Sequence, residues 1–289
     1  MKLVNWQRDC SAVLYLATLA SALLSLHACG LVPADERVAS APATLSKERI
    51  AEIVASADRT AADRSNDVRR KPEQLLAFIG IRPGITALDL SAGGGYTTEL
   101  LARSVGPTGR VVGQSAPPRS ADTPPRPAVT PEGDALRSPL PPTNVRRTSA
   151  QALAERAKNA GLSNITSLVQ KFEDPLPPGL DLVTLMFNYH DLGHMGVDRA
   201  RMNAAVFAAL KPGGIYVIAD HSGRVGTGIS ESGTLHRIEE KFLRSEVEAA
   251  GFKLIEQADF LRNPSDPRDK NTPEPPQPKD EFVLKFARP

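Results

Sequence analysis

Ala87-Leu88-Asp89-Leu90-Ser91-Ala92-Gly93-Gly94-Gly95-Tyr96 is the stretch that decides how this chain folds. Ile85 to Leu90 has the length and aliphatic content of a buried strand, and Tyr96 to Ser104 has helical spacing. Three glycines join them. Without Cβ atoms, such a turn lets backbone amides approach a ligand closely. The start of the following helix favours negative groups, such as a carboxylate. Two ligand classes are disfavoured here. A dinucleotide fingerprint asks for Gly-x-Gly-x-x-Gly; Gly93 and Gly95 supply the first pair, but Thr98 stands at the last position. A phosphate-cradling loop would need Gly-Lys-Ser/Thr, which does not follow. Asp89, inside the strand, would repel a pyrophosphate but could hold the amine of a zwitterion. A nicotinamide-dependent oxidoreductase is disfavoured by the same two residues, Thr98 and Asp89.

Working outward, Pro72 opens a short helix with Leu75, Leu76 and Phe78 on its apolar side, and Pro83-Gly84 turns the chain into the strand. Arg110–Gln114, Ile165–Val169, Leu182–Phe187 and Ile215–Ala219 read as further strands. Helices fall between them at about Ser149–Ala160 and Val197–Leu210. This alternation predicts an α/β fold, a Rossmann-like doubly wound sheet, mostly parallel, with helices on both faces. A helix from about Leu235 to Ala250 then leads into Phe252–Phe260 and Glu281–Phe286, two strands joined by a proline-rich loop. A loop connection predicts an antiparallel pair at one end of the sheet. Between Pro117 and Pro142 lie nine prolines in 26 residues, so residues 115–146 read as an exposed insertion after the second strand. It is placed to cover a ligand site, or is a solvated loop.

The chain has 289 residues, with 35 Lys+Arg against 33 Asp+Glu. A surplus of +2 argues against a nucleic-acid binder, which needs a basic face to displace counterions. Both cysteines, Cys10 and Cys29, lie in the first thirty residues, so no cysteine-based metal site or nucleophile belongs to the globular part. Lys2 and Arg8 precede an uncharged run, Ser11 to Leu26, which is short for a membrane span and suits a signal peptide. Leu26-His27-Ala28-Cys29 resembles the lipobox of bacterial lipoproteins, with His27 and Asp9 as departures. The resemblance implies a signal peptide over 1–28, lipidation of Cys29, a flexible tether over 29–46, and a membrane anchor on the periplasmic side, at the outer membrane. An uncleaved anchor or a misassigned start are the alternatives. The α/β domain is expected over 47–289, its first helix capped by Ser46.

Residues Ala87 to Tyr96 resemble motif I of class I S-adenosylmethionine-dependent methyltransferases. Leu182–Phe187 with Asn188-Tyr189-His190-Asp191 is similar to that family's fourth strand and catalytic loop. Ala209-Leu210-Lys211-Pro212-Gly213-Gly214-Ile215 resembles its turn into the fifth strand, and Glu246-Ala249-Ala250-Gly251-Phe252 the helix before the sixth. The Asn188–Asp191 and Asp220-His221-Ser222 pieces are also similar to exported bacterial predicted methyltransferases. The resemblance covers Lys71 to the C-terminus. It implies a seven-stranded sheet with the last strand antiparallel, and S-adenosylmethionine as cofactor. Asp89, Ser91, Ala92, Gly93, Gly94, Gly95 and Tyr96 would hold its methionine portion, with Asn188 alongside. Gln114 falls where the family often has an acid for the ribose hydroxyls; a neutral amide can still bond them, more weakly. Lys171 falls near the adenine-facing acid, with Glu173 and Asp174 just beyond.

Methyl transfer asks an enzyme to position a nucleophile and take its proton. His190 and His221 are expected just past two strand ends, with Asp191 and Asp220 beside them. One of the two histidines is the candidate general base, with Asp191, Asn188 and Tyr189 shaping the site around a small-molecule or surface substrate. A histidine satisfying backbone groups in a tight loop is the plainer alternative. No metal site is expected: one would need His190, His194, His221 and carboxylates, and Gly193 and Gly196 argue against a helix there. His236 reads as part of a solvated helix face. The rival to an enzyme is a non-catalytic ligand-binding or structural lipoprotein that keeps the fold. The two readings are set against each other because S-adenosylmethionine is made in the cytoplasm, whereas the leader directs export.

Overall fold

Short aliphatic runs line up edge to edge because each must bury both of its faces. The computed structural model describes residues 43–118, 147–271 and 277–289. The expected leader, Cys29, most of the expected tether and most of the proline-rich stretch lie outside them. The strands are β1 (Thr86–Leu90), β2 (Arg110–Ser115), β3 (Ile165–Val169), β4 (Leu180–Met186), β5 (Leu210–His221), β6 (Lys253–Ala258) and β7 (Glu281–Ala287). They form one seven-stranded sheet in the order β3-β2-β1-β4-β5-β7-β6. All pairings are parallel except those of β7, which runs antiparallel to both β5 and β6. The doubly wound sheet expected from the sequence is therefore the observed one. From β1 the chain winds outward to β2 and β3, then returns to β4 on β1's other side. The carboxyl ends of β1 and β4 thus flank the crevice where open α/β sheets bind ligands.

The helices are α1 (Lys47–Val54), α2 (Ala61–Arg70), α3 (Pro72–Ile79), α4 (Tyr96–Val105), α5 (Ser149–Asn159), α6 (Tyr189–His194), α7 (Arg199–Ala209) and α8 (Glu240–Ala249). Ser46 caps α1 by accepting the Arg49 N–H at 3.2 Å. Successive strand residues point to opposite faces, so one strand feeds two cores. Leu88, Leu90, Val183, Leu185 and Ile218 pack with Leu192, Val206 and Val247 on one side. Ala87, Leu182, Val217 and Ala219 pack with Leu76, Leu101 and Val105 on the other. The alternation puts Asp89 on the Ala87 side, facing α4. The described residues belong to one compact unit, Ala41–Pro289. Among them no helix is long and apolar enough to cross a membrane.

Three elements depart from the sequence reading. Helix α2 has no counterpart in it. It carries almost no apolar stripe and is held by a Thr60/Asp63 capping box and by ion pairs from Arg59 to Asp67 (2.7 Å) and Arg156 to Asp63 (3.0 Å). A short helix, α6, does form over Tyr189–His194, where two glycines argued against one. Gly193 fits because a Cβ there would lie 2.7 Å from Ile229, a contact visible only in three dimensions. The last helix begins at Glu240 and not near Leu235, so His236 lies outside it, with φ of 51°.

Candidate active site at the β1/β4 crevice

The glycine turn leaves β1 through Ser91, whose φ of 60° is left-handed. Gly95, at φ 83°, caps α4, and a Cβ there would lie 2.5 Å from Leu153. Gly94 differs: a Cβ would meet nothing within 4 Å, so its outer face is open space. The Gly94 carbonyl accepts from Arg156 Nε at 2.7 Å, and Ala92 N–H donates to the Gln114 carbonyl at 2.8 Å.

Asp89 does not present a free carboxylate. It is 2% exposed, and its two oxygens accept hydroxyl hydrogen bonds from Thr98 (2.7 Å) and Thr184 (2.8 Å). Burial pushes its pKa up to about 6, against the pull of the two hydroxyls and of Arg70. Asp89 thus ties β1 to α4 and β4. Gln114 is likewise engaged inside the protein: its Oε1 accepts the Ser91 N–H at 3.0 Å and its Nε2 donates to the Gln170 carbonyl at 2.7 Å. Tyr96 donates its hydroxyl to Asp67 at 2.6 Å. Glu173 accepts the Asp198 N–H at the start of α7.

The sequence reading missed Arg70, at the end of α2. Its guanidinium lies 5.2 Å from the Tyr96 ring centre and 4.8 Å from that of Phe187, bridging the ends of β1 and β4. Its Nε is buried and makes no hydrogen bond among the described residues. No local pattern marks Arg70, since α2 carries several arginines and little periodicity.

Across the crevice, Ser91 Oγ donates to Asn188 Oδ1 at 2.7 Å, and Asn188 Nδ2 donates to Asp191 Oδ2 at 3.0 Å. Those two bonds join the turn to a cluster holding all four described histidines. The His190 ring centre is 5.2 Å from that of His221 and 5.7 Å from that of His236, and His194 lies 5.6 Å from His236. His190 is 2% exposed and held at both ring nitrogens. Nδ1 lies 2.6 Å from Asp220 Oδ1, and Nε2 lies 3.2 Å from Asp191 Oδ1. Burial alone would lower its pKa, but the two carboxylates outweigh burial and push it up to about 9. Both carboxylates thus favour the charged ring, which works against His190 accepting a further proton. Asp191 is held well below the usual carboxylate range: burial would raise it, but His190 and His236 prevail.

His221 behaves oppositely. Burial, with Lys279 and His190 nearby, drives its pKa well below the ordinary imidazole value. Its Nδ1 lies 2.9 Å from Glu281 Oε1, at an angle that makes no hydrogen bond. Burial pushes Glu281 up to about 7, against Arg69 and Arg70.

His236 belongs to the cluster and not to a solvated helix face. Its Nδ1 lies 2.8 Å from Asp191 Oδ1. Arg237 fixes it there, fully buried, paired with Asp266 at 2.8 Å and donating to the Ser222 carbonyl at 3.0 Å. No metal site was expected from the sequence, but metal-ligating atoms of His190, Asp191 and His236 lie within 4.8 Å of one another.

No family model matches the chain, and no curated protein does. Solved structures do. A SAM-dependent methyltransferase from Aquifex aeolicus superposes with a TM-score of 0.53 at 16% identity, covering 85% of this chain and 100% of its own. A chain from the complex between the Haloferax volcanii Trm112 methyltransferase activator and a methyltransferase gives 0.52 at 17% identity, covering 85% and 100%. At such identities the likeness is one of fold: this chain has the Rossmann-like fold that these methyltransferases have.

Proposed function

We propose that this chain binds S-adenosylmethionine over the glycine turn and transfers its methyl group to a small-molecule acceptor held at the histidine cluster. One observation carries the reading. The Ser91–Asn188 hydrogen bond joins turn and cluster at the edge where the strand order reverses. The fold likeness supports it by analogy alone.

The residues present fit the cofactor at its amino-acid end. Open space lies off Gly94, and the unpartnered, buried Nε of Arg70 suits a carboxylate. At the ribose end Gln114 offers no free group, so those hydroxyls would be bonded by other residues. When bound, the cofactor supplies an electrophilic methyl carbon: the acceptor's lone pair forms the new bond, the S–CH3 pair stays on sulfur, and the acceptor's proton leaves to a base. His221, which burial keeps neutral, is the candidate to take that proton, with Glu281 Oε1 2.9 Å from its Nδ1 to stabilise the charged ring. Asn188 positions Asp191, and the Phe187 ring packs 5.6 Å from that of His221.

Calorimetric titration of the purified chain with S-adenosylmethionine tests this. Saturable binding is expected, weakened at least about tenfold by Gly94→Ala, whose Cβ would enter the open space without disturbing the fold. His221→Ala should keep binding and lose turnover. Absence of saturable binding below about 1 mM would hand the fold to the non-catalytic, ligand-binding or structural role.

A further inference from the structure

We infer that His190, Asp191 and His236 form a binding site for a divalent transition-metal ion of the zinc or ferrous class. The inference rests on the methyl-transfer reading only for what the ion would do, not for its binding.

The donor set comes first. Two imidazoles and one carboxylate suit borderline transition metals, while magnesium and calcium prefer all-oxygen surroundings. Spacing agrees. His190 Nε2 is 3.2 Å, and His236 Nδ1 2.8 Å, from the same Asp191 oxygen. Ligands about 2.0–2.2 Å from one ion sit roughly 3 Å apart, so small ring rotations would admit it.

The surroundings orient these atoms independently of each other. His190 Nδ1 is bonded to Asp220 Oδ1 at 2.6 Å, which leaves Nε2 as the coordinating nitrogen. That carboxylate–histidine arrangement is the usual outer support of a metal ligand. Asp220 is itself fixed by the backbone N–H groups of His190 (2.7 Å) and His221 (2.8 Å). Asp191 is steadied through its other oxygen by Asn188.

His236 has the most unusual placement. Its backbone is held at φ 51°, in the left-handed region that a non-glycine residue rarely adopts. The adjoining Arg237–Asp266 pair, fully buried, over-determines it. The fold thus uses a buried ion pair and a strained residue to bring one imidazole to Asp191. The side chains of Asp191 and His236 are 24% and 29% exposed, so this side of the set is not sealed from solvent. On the methyl-transfer reading, that open side would hold the acceptor's oxygen, nitrogen or sulfur and lower its pKa.

The competing arrangement is a hydrogen-bonded His–Asp–His network with a proton where the ion would be. Full-length chain without a histidine tag, stripped by chelator and dialysed against Zn²⁺, separates the two. One equivalent is expected by elemental analysis, and Co²⁺ should give visible d–d bands. His236→Ala, truncating a partly exposed side chain, should weaken Zn²⁺ binding by more than about 100-fold with an unchanged circular dichroism spectrum. Asp220→Asn should weaken it by about 10–100-fold. Less than about a tenth of an equivalent, or undiminished affinity in His236→Ala, overturns the proposal. Metal uptake without S-adenosylmethionine binding would refute methyl transfer alone; the converse would refute the metal site alone.

Discussion

The two sides of the β1/β4 crevice are built on opposite principles. On the glycine-turn side, apart from Arg70 Nε, polar groups satisfy one another: Asp89 with Thr98 and Thr184, Gln114 with Ser91 and Gln170, Tyr96 with Asp67. On the histidine side, the fold leaves capacity over. His221 Nδ1 is buried without a hydrogen bond, and His236 and Asp191 keep part of their side chains open. Buried polar groups are normally paired, so unpaired ones mark where a ligand or proton is expected. The turn acts as rigid scaffold, and the chemistry gathers across from it.

The sharpest way to break this contrast is His190→Ala. Asp220 is fully buried, and His190 is the only side chain bonded to it among the described contacts. Removing one partner of a buried ionic pair leaves an uncompensated charge, which costs about 3–5 kcal/mol. Urea unfolding should show a loss of that size. A loss below about 1 kcal/mol would mean that water already reaches Asp220, and the cluster would not be the tightly held unit described above.

Asp89→Asn probes the other side. Its folded pKa of about 6 lies above the ordinary 3.8, so the native state binds more protons between those values. Stability from this group is full below pH 3.8 and is lost as pH rises through 6. By pH 7 the charged form costs about 3 kcal/mol. The amide can keep both threonine contacts, so the variant should gain on the wild type from pH 4 to pH 7, read as the difference in melting temperature. A flat profile would show an Asp89 carboxylate open to solvent, and the opposite trend one paired with a cation.

What the sequence made legible follows the same division. The strand, glycine turn and helix from Thr86 to Val105 are local: apolar run, chain reversal and helical period lie in one stretch, and the observed elements agree within a residue. The parallel sheet and the antiparallel pair at its end followed from alternation and loop type, while the strand order did not. The cluster is non-local. His190 and His221 were marked by their places after strands, but His236 reaches them only through a left-handed backbone position and the buried Arg237. One available signal was missed: Glu239 and Glu240 are better read as the start of a helix than as its middle. Arg70 was invisible because α2 is stabilised by charges from Arg59 and Arg156, distant in sequence or outside its period. That Asp89 faces inward could have been inferred from strand parity, since it shares a side with Ala87.

Gly95→Ala carries the smallest expected effect and tests whether the turn is rigid at all. A Cβ there would lie 2.5 Å from Leu153 Cδ1 and 3.1 Å from Arg156 Cδ, at a φ that disfavours side chains. Leu153 is 2% exposed and also closes over Gly113, where a Cβ would lie 2.4 Å from its other methyl. Squeezed between the two glycines, it has little room to swing. Overpacking of this kind costs about 1–3 kcal/mol. Thermal denaturation should show that loss for Gly95→Ala and almost none for its neighbour Gly94→Ala. Equal stability of the two variants would mean that Leu153 moves freely and the turn is soft. In that case the hydrogen bonds of Asp89 and Gln114 would no longer define a scaffold, and the turn would become the adaptable half of the site.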